Sequence, residues 1–185
     1  MRDESRSAAR LCALIVQMIV LSMPAFAQTT IFEAAKRGDL ETVNSLISSE
    51  HSVMEYDRIG STVLHYAAEG GQEDVAAFLI GKGADANAAD NDGYTPLHSC
   101  ALHGDSATAA LLIASGAIVY VRDNNQMTPL HLCGLNDNVA VAEVLVANGA
   151  DVNDMTTAQW TPLRVAQYKK SLVMIEWLTA HGATQ

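Results

Sequence analysis

Residues 90–98 read Asp-Asn-Asp-Gly-Tyr-Thr-Pro-Leu-His and carry the strongest structural signal in the chain. The pattern returns at residues 123–131 as Asp-Asn-Asn-Gln-Met-Thr-Pro-Leu-His, a displacement of 33 residues. The same displacement relates further columns, which are Thr62, Thr95, Thr128 and Thr161; Leu64, Leu97, Leu130 and Leu163; and Gly83, Gly116, Gly149 and Gly182. A fixed period in this range is typical of stacked supersecondary units, so the sequence predicts a solenoid without a single central core.

Each unit carries the signals of two short helices. In the fullest copy an Asp-x-x-Gly turn precedes Thr95, which is placed to cap a helix, and Pro96 suits the first helical position. The apolar residues of segment 109–113 predict a second helix, and Gly116 stands where a left-handed C-terminal residue belongs. One unit cannot bury its apolar faces alone, so we expect neighbouring units to stack.

This repeat resembles the ankyrin repeat, which has 33 residues and a Thr-Pro-Leu-His signature. The resemblance implies an all-α ankyrin-repeat solenoid of stacked helix-turn-helix units with short β-hairpin or turn tips. We expect the ankyrin repeat domain to cover residues 28–185. Its expected parts are an N-terminal cap at about 29–57, full repeats at about 58–90, 91–123 and 124–156, and a C-terminal repeat at about 157–185.

Among the departures from the repeat pattern, three concern the turn and the signature histidine. Gln126 and Gln159 replace the glycine of the turn, and glycine is the residue that adopts a positive φ without steric cost. Arg164 replaces the histidine of the signature. The sequence therefore predicts altered or strained turns before the last two units.

The first 27 residues do not follow the repeat. Three arginines precede an apolar run at residues 11–23, and residues 25–27 read Ala-Phe-Ala. This order is that of a secretory signal peptide, and the apolar run is shorter than the roughly 20 residues that span a bilayer. We expect cleavage after Ala27 and a periplasmic or secreted protein, because the pattern is typical of bacteria. An uncleaved N-terminal anchor is the alternative.

The formal net charge is −10. Nucleic acids and anionic membrane surfaces need basic footprints, so neither is an expected partner. The charge permits a basic protein partner and favours solubility. We expect a monomer that is not inserted in a membrane once the signal peptide is removed.

The sequence gives no support for catalysis, a metal or a cofactor. His65, His98 and His131 are each one repeat apart, too far to ligate one ion; the resemblance implies that they bond backbone groups of neighbouring turns. No phosphate-binding loop or nucleophile elbow is present. Cys100 and Cys133 replace small core residues and, as equivalents in stacked helices, are predicted to be buried free thiols.

The resemblance implies that turn tips and first helices line a concave face that binds protein. Two columns on this face become apolar or aromatic from the second full copy onward, and we expect their side chains to face solvent as one patch. The predicted binding residues are Tyr94, Leu102, His103, Met127, Leu135, Asn136, Trp160 and Tyr168. Exposed apolar patches with aromatic anchors are typical of interaction hot spots. Packing within the C-terminal unit is the alternative role for Trp160, and packing is the expected role of Trp177.

These observations favour a non-enzymatic, exported protein-binding module. Its role could be that of a scaffold or stabiliser, a toxin-neutralising inhibitor or immunity protein, or a secreted effector directed at a host protein. A small-ligand or cell-wall-fragment binder is the alternative of another class, although it would need a closed pocket with convergent polar groups. A passive structural repeat is disfavoured by the apolar columns.

Overall fold

A computed structural model describes residues 30–49 and 52–184, which leaves the predicted signal peptide, residues 1–27, outside the described residues. The described helices are α1 Ile31–Arg37, α2 Leu40–Ser49, α3 Val63–Glu69, α4 Glu73–Gly81, α5 Pro96–His103, α6 Ser106–Ala114, α7 Pro129–Asn136, α8 Val139–Ala147, α9 Pro162–Lys169 and α10 Leu172–Ala180. In this part of the chain, no helix has the length and apolar character needed to cross a membrane.

The helices pair and stack as the repeat predicts. The first helices α1, α3, α5, α7 and α9 each contact the next in the series, as do the second helices α2, α4, α6, α8 and α10. A continuous core runs between the two layers, with Leu64, Leu97 and Leu130 at equivalent positions and fully buried. The prediction of an all-α ankyrin-type solenoid is confirmed.

Threonine and glycine define the limits of the helices. Thr62, Thr95 and Thr128 have extended backbone conformations and cap α3, α5 and α7, where the first four N–H groups lack helical partners. After the second helices, Gly83 and Gly116 have φ values of 95° and 94°. Only glycine adopts these angles without steric cost, so these positions stop the helix and turn the chain toward the next tip.

The tips are turns that are tied to one another. The Asp90 carboxylate accepts hydrogen bonds from the backbone N–H groups of Asp92 and Tyr94, both at 2.9 Å. The next tip forms a hydrogen bond to this one, because the Asn124 N–H donates to Asp92 O at 2.9 Å. Across the described residues the tips contain no strand, and the one β-bridge joins Tyr56 and Thr62.

The turns with glutamine keep their form and are strained. Gln126 and Gln159 have φ values of 64° and 60°, and Gly93 has 81° at the equivalent position. The turn hydrogen bond survives, since the Gln126 N–H donates to Asp123 O at 2.9 Å, as Gly93 does to Asp90 O at 3.0 Å. The sequence predicted that these turns would be either altered or strained, and the structure shows strained turns of unaltered form.

The two cysteines in the described residues are buried free thiols, as predicted. Cys100 and Cys133 have no exposed surface and form no disulfide. Burial raises the pKa of both thiols, because the thiolate would lose its hydration. A protonated, inaccessible thiol is a poor nucleophile, so both side chains act as small core residues.

Candidate protein-binding face

An open groove of about 420 Å³ lies between two turn tips and two first helices. We call it the aromatic groove and define it by Met127, Leu135, Trp160, Val165, Tyr168 and Lys169. Met127 and Trp160 come from consecutive tips, Leu135 from α7, and the other three from α9. Because the members recur at repeat spacing, stacking brings them to one surface.

Trp160 is held in a fixed position. Its backbone N–H donates to Thr156 Oγ1 at 3.1 Å, and its carbonyl accepts from His131 Nε2 at 3.0 Å. The Tyr168 ring meets the indole edge to face, with ring centroids 5.4 Å apart and an interplanar angle of 86°. The Arg164 guanidinium lies over the indole at 5.2 Å. These contacts pre-organise a large apolar side chain, which lowers the entropy that a partner must overcome on binding.

Four of the eight predicted binding residues line the aromatic groove, namely Met127, Leu135, Trp160 and Tyr168. Two others lie one repeat earlier: Tyr94 stands edge-on to the His98 ring at 5.5 Å, and Leu102 is joined to the next repeat through its carbonyl.

The remaining two predicted residues, Asn136 and His103, are polar and exposed. The Asn136 amide donates to Leu102 O at 2.8 Å, so it links two repeats. His103 lies in a separate small polar cleft, with its Nε2 3.5 Å from Glu69 Oε1. Neither lines the aromatic groove.

The six apolar members of this face, which the sequence predicts to face solvent, differ in how much of their surface is exposed. Tyr168 alone among these six is largely exposed, at 72% of its surface. Tyr94, Leu102, Met127 and Leu135 are half-buried because they pack against the core cluster. Trp160 is also half-buried, and its ring contacts Tyr168 and Arg164. Trp160 therefore packs within the C-terminal repeat and also lines the groove, and its role in binding stays a prediction. Trp177 packs against the core, as predicted, and its ring stacks on His181 at 4.0 Å.

The histidine column connects each repeat to the next. His98 Nδ1 accepts from the Thr95 N–H at 3.1 Å, and Nε2 donates to Met127 O at 3.2 Å. His65 and His131 make the same pair of contacts, to Tyr94 O and Trp160 O. A carbonyl can only accept, so the contacts require the neutral tautomer with its proton on Nε2. Burial lowers the pKa of all three rings.

Arg164 is the functional candidate that the sequence pattern missed. It occupies the position of the histidine column in the last repeat. The histidines bond the turn of the next repeat, whereas the Arg164 guanidinium lies over the Trp160 ring and donates to Gln159 O at 3.2 Å. The substitution itself was visible in the sequence. Its position over the indole depends on the side-chain conformation, which repeat spacing does not specify.

Within the described residues, no three His, Cys, Asp or Glu side chains converge in a way that could hold a metal ion. Two carboxylates show how the tips are stabilised. Asp123 Oδ1 accepts the Asn125 and Met127 N–H groups, and Asp154 accepts from Arg122 Nη2 at 2.6 Å. These groups hold backbone and neighbouring turns in place, so their chemistry is structural.

A family model described as ankyrin repeats, three copies, matches residues 31–123 and 118–185. The chain belongs to the ankyrin repeat family. Ankyrin repeats are generally modules for protein–protein interaction and are typically non-enzymatic, which indicates that this chain binds a protein partner. A search of curated proteins finds no match to this chain.

Proposed function

We propose that this ankyrin repeat protein is an exported, non-enzymatic module that binds one protein partner through its turn tips and first helices. The observation that carries the proposal is the aromatic groove, in which Trp160 is fixed by Thr156, His131 and Tyr168. Pre-positioned aromatic side chains beside apolar surface are typical of interaction hot spots. Export is supported by the signal-peptide pattern of residues 1–27.

Within this class we favour a scaffold, stabiliser or inhibitor of a periplasmic or secreted protein. An immunity protein against a toxin and an effector directed at a host protein use the same kind of surface, and they differ in the source of the partner. The small-ligand alternative receives less support. The groove is open and apolar, whereas a ligand pocket encloses its ligand and offers convergent polar groups.

Affinity capture tests the proposal. The bait is residues 28–185, presented to an envelope extract and to culture supernatant of the native organism, beside a Trp160→Ala/Met127→Ala bait. An Ile118→Ala/Tyr120→Ala bait is the control, because Ile118 and Tyr120 are exposed apolar residues outside the aromatic groove. Circular dichroism checks that all three baits are folded.

We expect one protein to be retained by the wild-type and control baits and lost from the groove variant. Its sequence then separates a resident enzyme from a toxin. Equal retention by the wild-type and groove-variant baits would contradict the placement of the site. Retention of no specific protein from either source, or from a host extract tested in the same way, would contradict the binding function.

A further inference from the structure

The charge around the aromatic groove is opposite to the charge of the chain. The chain has 21 acidic and 11 basic residues, yet no carboxylate lines the groove, and Lys169 is its one charged lining residue. Arg164 lies directly over the Trp160 ring, and Lys170 follows Lys169 at the end of α9. A cationic, apolar site has therefore formed on an acidic protein.

These cations have no carboxylate partner within the described residues. Arg122 forms an ion pair with Asp154, and Lys36 forms one with Glu69. Arg164, in contrast, has the indole face and a backbone carbonyl as partners, and neither neutralises its charge. No ion pair joins Lys169 or Lys170 to an acidic residue in the described part of the chain. Unneutralised cations beside an apolar surface favour a partner that brings negative charge.

The order of the groups suggests how a segment would bind. The apolar floor is formed by Met127, Leu135 and Val165, and the aromatic pair Trp160 and Tyr168 stands beside it. Arg164 lies over the Trp160 ring and lines the neighbouring cavity, whereas Lys169 lines the groove itself. A guanidinium accepts a carboxylate through two N–H donors, which makes the contact directional as well as attractive.

We infer that the partner presents to this groove a short internal segment in which a large apolar or aromatic side chain stands next to an Asp or Glu. The inference rests on the proposed function and specifies its partner. The apolar side chain occupies the floor between Met127 and Tyr168, and the adjacent carboxylate meets Arg164 and Lys169. The net charge of −10 permits a basic partner elsewhere on the solenoid, but this groove selects an acidic segment.

The test uses pools of fluorescein-labelled octapeptides, acetylated and amidated so that no terminal charge contributes. One position is fixed as Phe, Trp or Leu, and the next is fixed as Asp/Glu, Lys/Arg or Ser/Ala. Fluorescence polarisation measures binding to residues 28–185 at low ionic strength, because exposed charges are screened by salt. We expect the apolar–acidic pool to bind at least tenfold tighter than the apolar–basic pool.

Two variants assign the preference to named groups. Arg164→Gln/Lys169→Gln should reduce the acidic preference to less than threefold while apolar selectivity remains. The matched control is Arg58→Gln/Lys82→Gln, which removes the same charge from the earlier repeats and should leave the preference unchanged. Tyr168→Ala, at an exposed ring, should weaken all pools without unfolding the protein.

The opposite results overturn the inference. Equal or tighter binding of the apolar–basic pool would do so, as would an acidic preference that persists in Arg164→Gln/Lys169→Gln. Failure of every pool, or self-association at this face in sedimentation, would also overturn it. If a protein is captured through Trp160 and Met127 but lacks such a segment, the proposed binding function is retained and only the inference of an acidic segment is overturned.

Discussion

At the scale of single residues, the backbone conformation at Gln126 and Gln159 conflicts with the side chain. Both residues have a positive φ, where a Cβ approaches the backbone and non-glycine residues are disfavoured. The Asp123 carboxylate imposes the turn, because it accepts hydrogen bonds from the N–H groups of Asn125 and Met127 at 2.8 Å. The tip that carries Met127 is therefore positioned at a local energetic cost.

Replacing Gln126 with glycine should stabilise the protein. We expect Gln126→Gly to raise the free energy of unfolding by about 0.5–1 kcal/mol, the relief of left-handed strain less the added entropy of the unfolded chain. Urea unfolding measures the change. Gln167→Gly is the control, since Gln167 is an exposed residue of α9, and there glycine should cost about 1 kcal/mol. A destabilised Gln126→Gly variant would show that the turn is not strained.

At the scale of elements, first helices approach so closely that one position excludes a side chain. Gly70 follows α3 with a φ of −82°, which any residue can adopt. A Cβ there would lie 2.0 Å from the carbonyl oxygen of Lys36 in α1. The close packing of α1 and α3 therefore requires glycine at position 70. The equivalent residue in the next repeat is His103, whose side chain has room because it lines an open cleft.

We therefore expect Gly70→Ala to destabilise the protein by about 1–3 kcal/mol, because the obstructing atoms belong to the backbone of α1 and cannot rotate away. Thermal and urea unfolding measure the effect. Gly81→Ala is the matched control: a Cβ at the last residue of α4 meets nothing within 4 Å, so the variant should be neutral or more stable. Equal effects of the two substitutions would contradict the close approach of α1 and α3.

The sequence predicted the elements better than the binding site. Threonine caps, the glycines after the second helices and the leucine columns specify helix limits locally, so α3 through α10 follow from the pattern. Spacing also identified Met127, Leu135, Trp160 and Tyr168 as neighbours on one face. It did not predict that Arg164 covers the indole, or that His103 lies in another cleft, because both depend on side-chain packing between repeats.

At the scale of the whole molecule, the repeats are joined by three buried neutral histidines. Protonation would place a proton on Nδ1, which already accepts the threonine N–H in His65, His98 and His131. Burial lowers the pKa of each ring below its ordinary value of 6.5, against the smaller opposing effects of the hydrogen bond to the next tip's carbonyl and of nearby aspartates. The unfolded chain binds these protons with an ordinary pKa.

Acidification should therefore destabilise the solenoid at mildly acidic pH. Above about pH 6.5 the rings are neutral in both states, and the stability is fully present. As the pH falls below 6.5 the unfolded state binds more protons, and stability is lost. We expect the free energy of unfolding to fall by at least about 1 kcal/mol between pH 7.5 and pH 5.5. His103→Gln, at an exposed ring outside this column, should show the same loss. A pH-independent free energy of unfolding would show that the histidine column is not held in its neutral form.

If the aromatic groove contacts the protein partner, as we propose, the fluorescence of Trp160 reports this contact directly. The chain has two tryptophans, so Trp177→Phe leaves Trp160 as the single indole. Titrating the captured partner into this variant, with partner emission subtracted, measures whether binding changes the environment of that ring. We predict a blue-shifted, saturable change in emission, with Trp160→Ala/Met127→Ala binding at least tenfold more weakly. Tight binding with unchanged Trp160 emission, together with equal affinity for the groove variant, would show that the partner does not contact the aromatic groove.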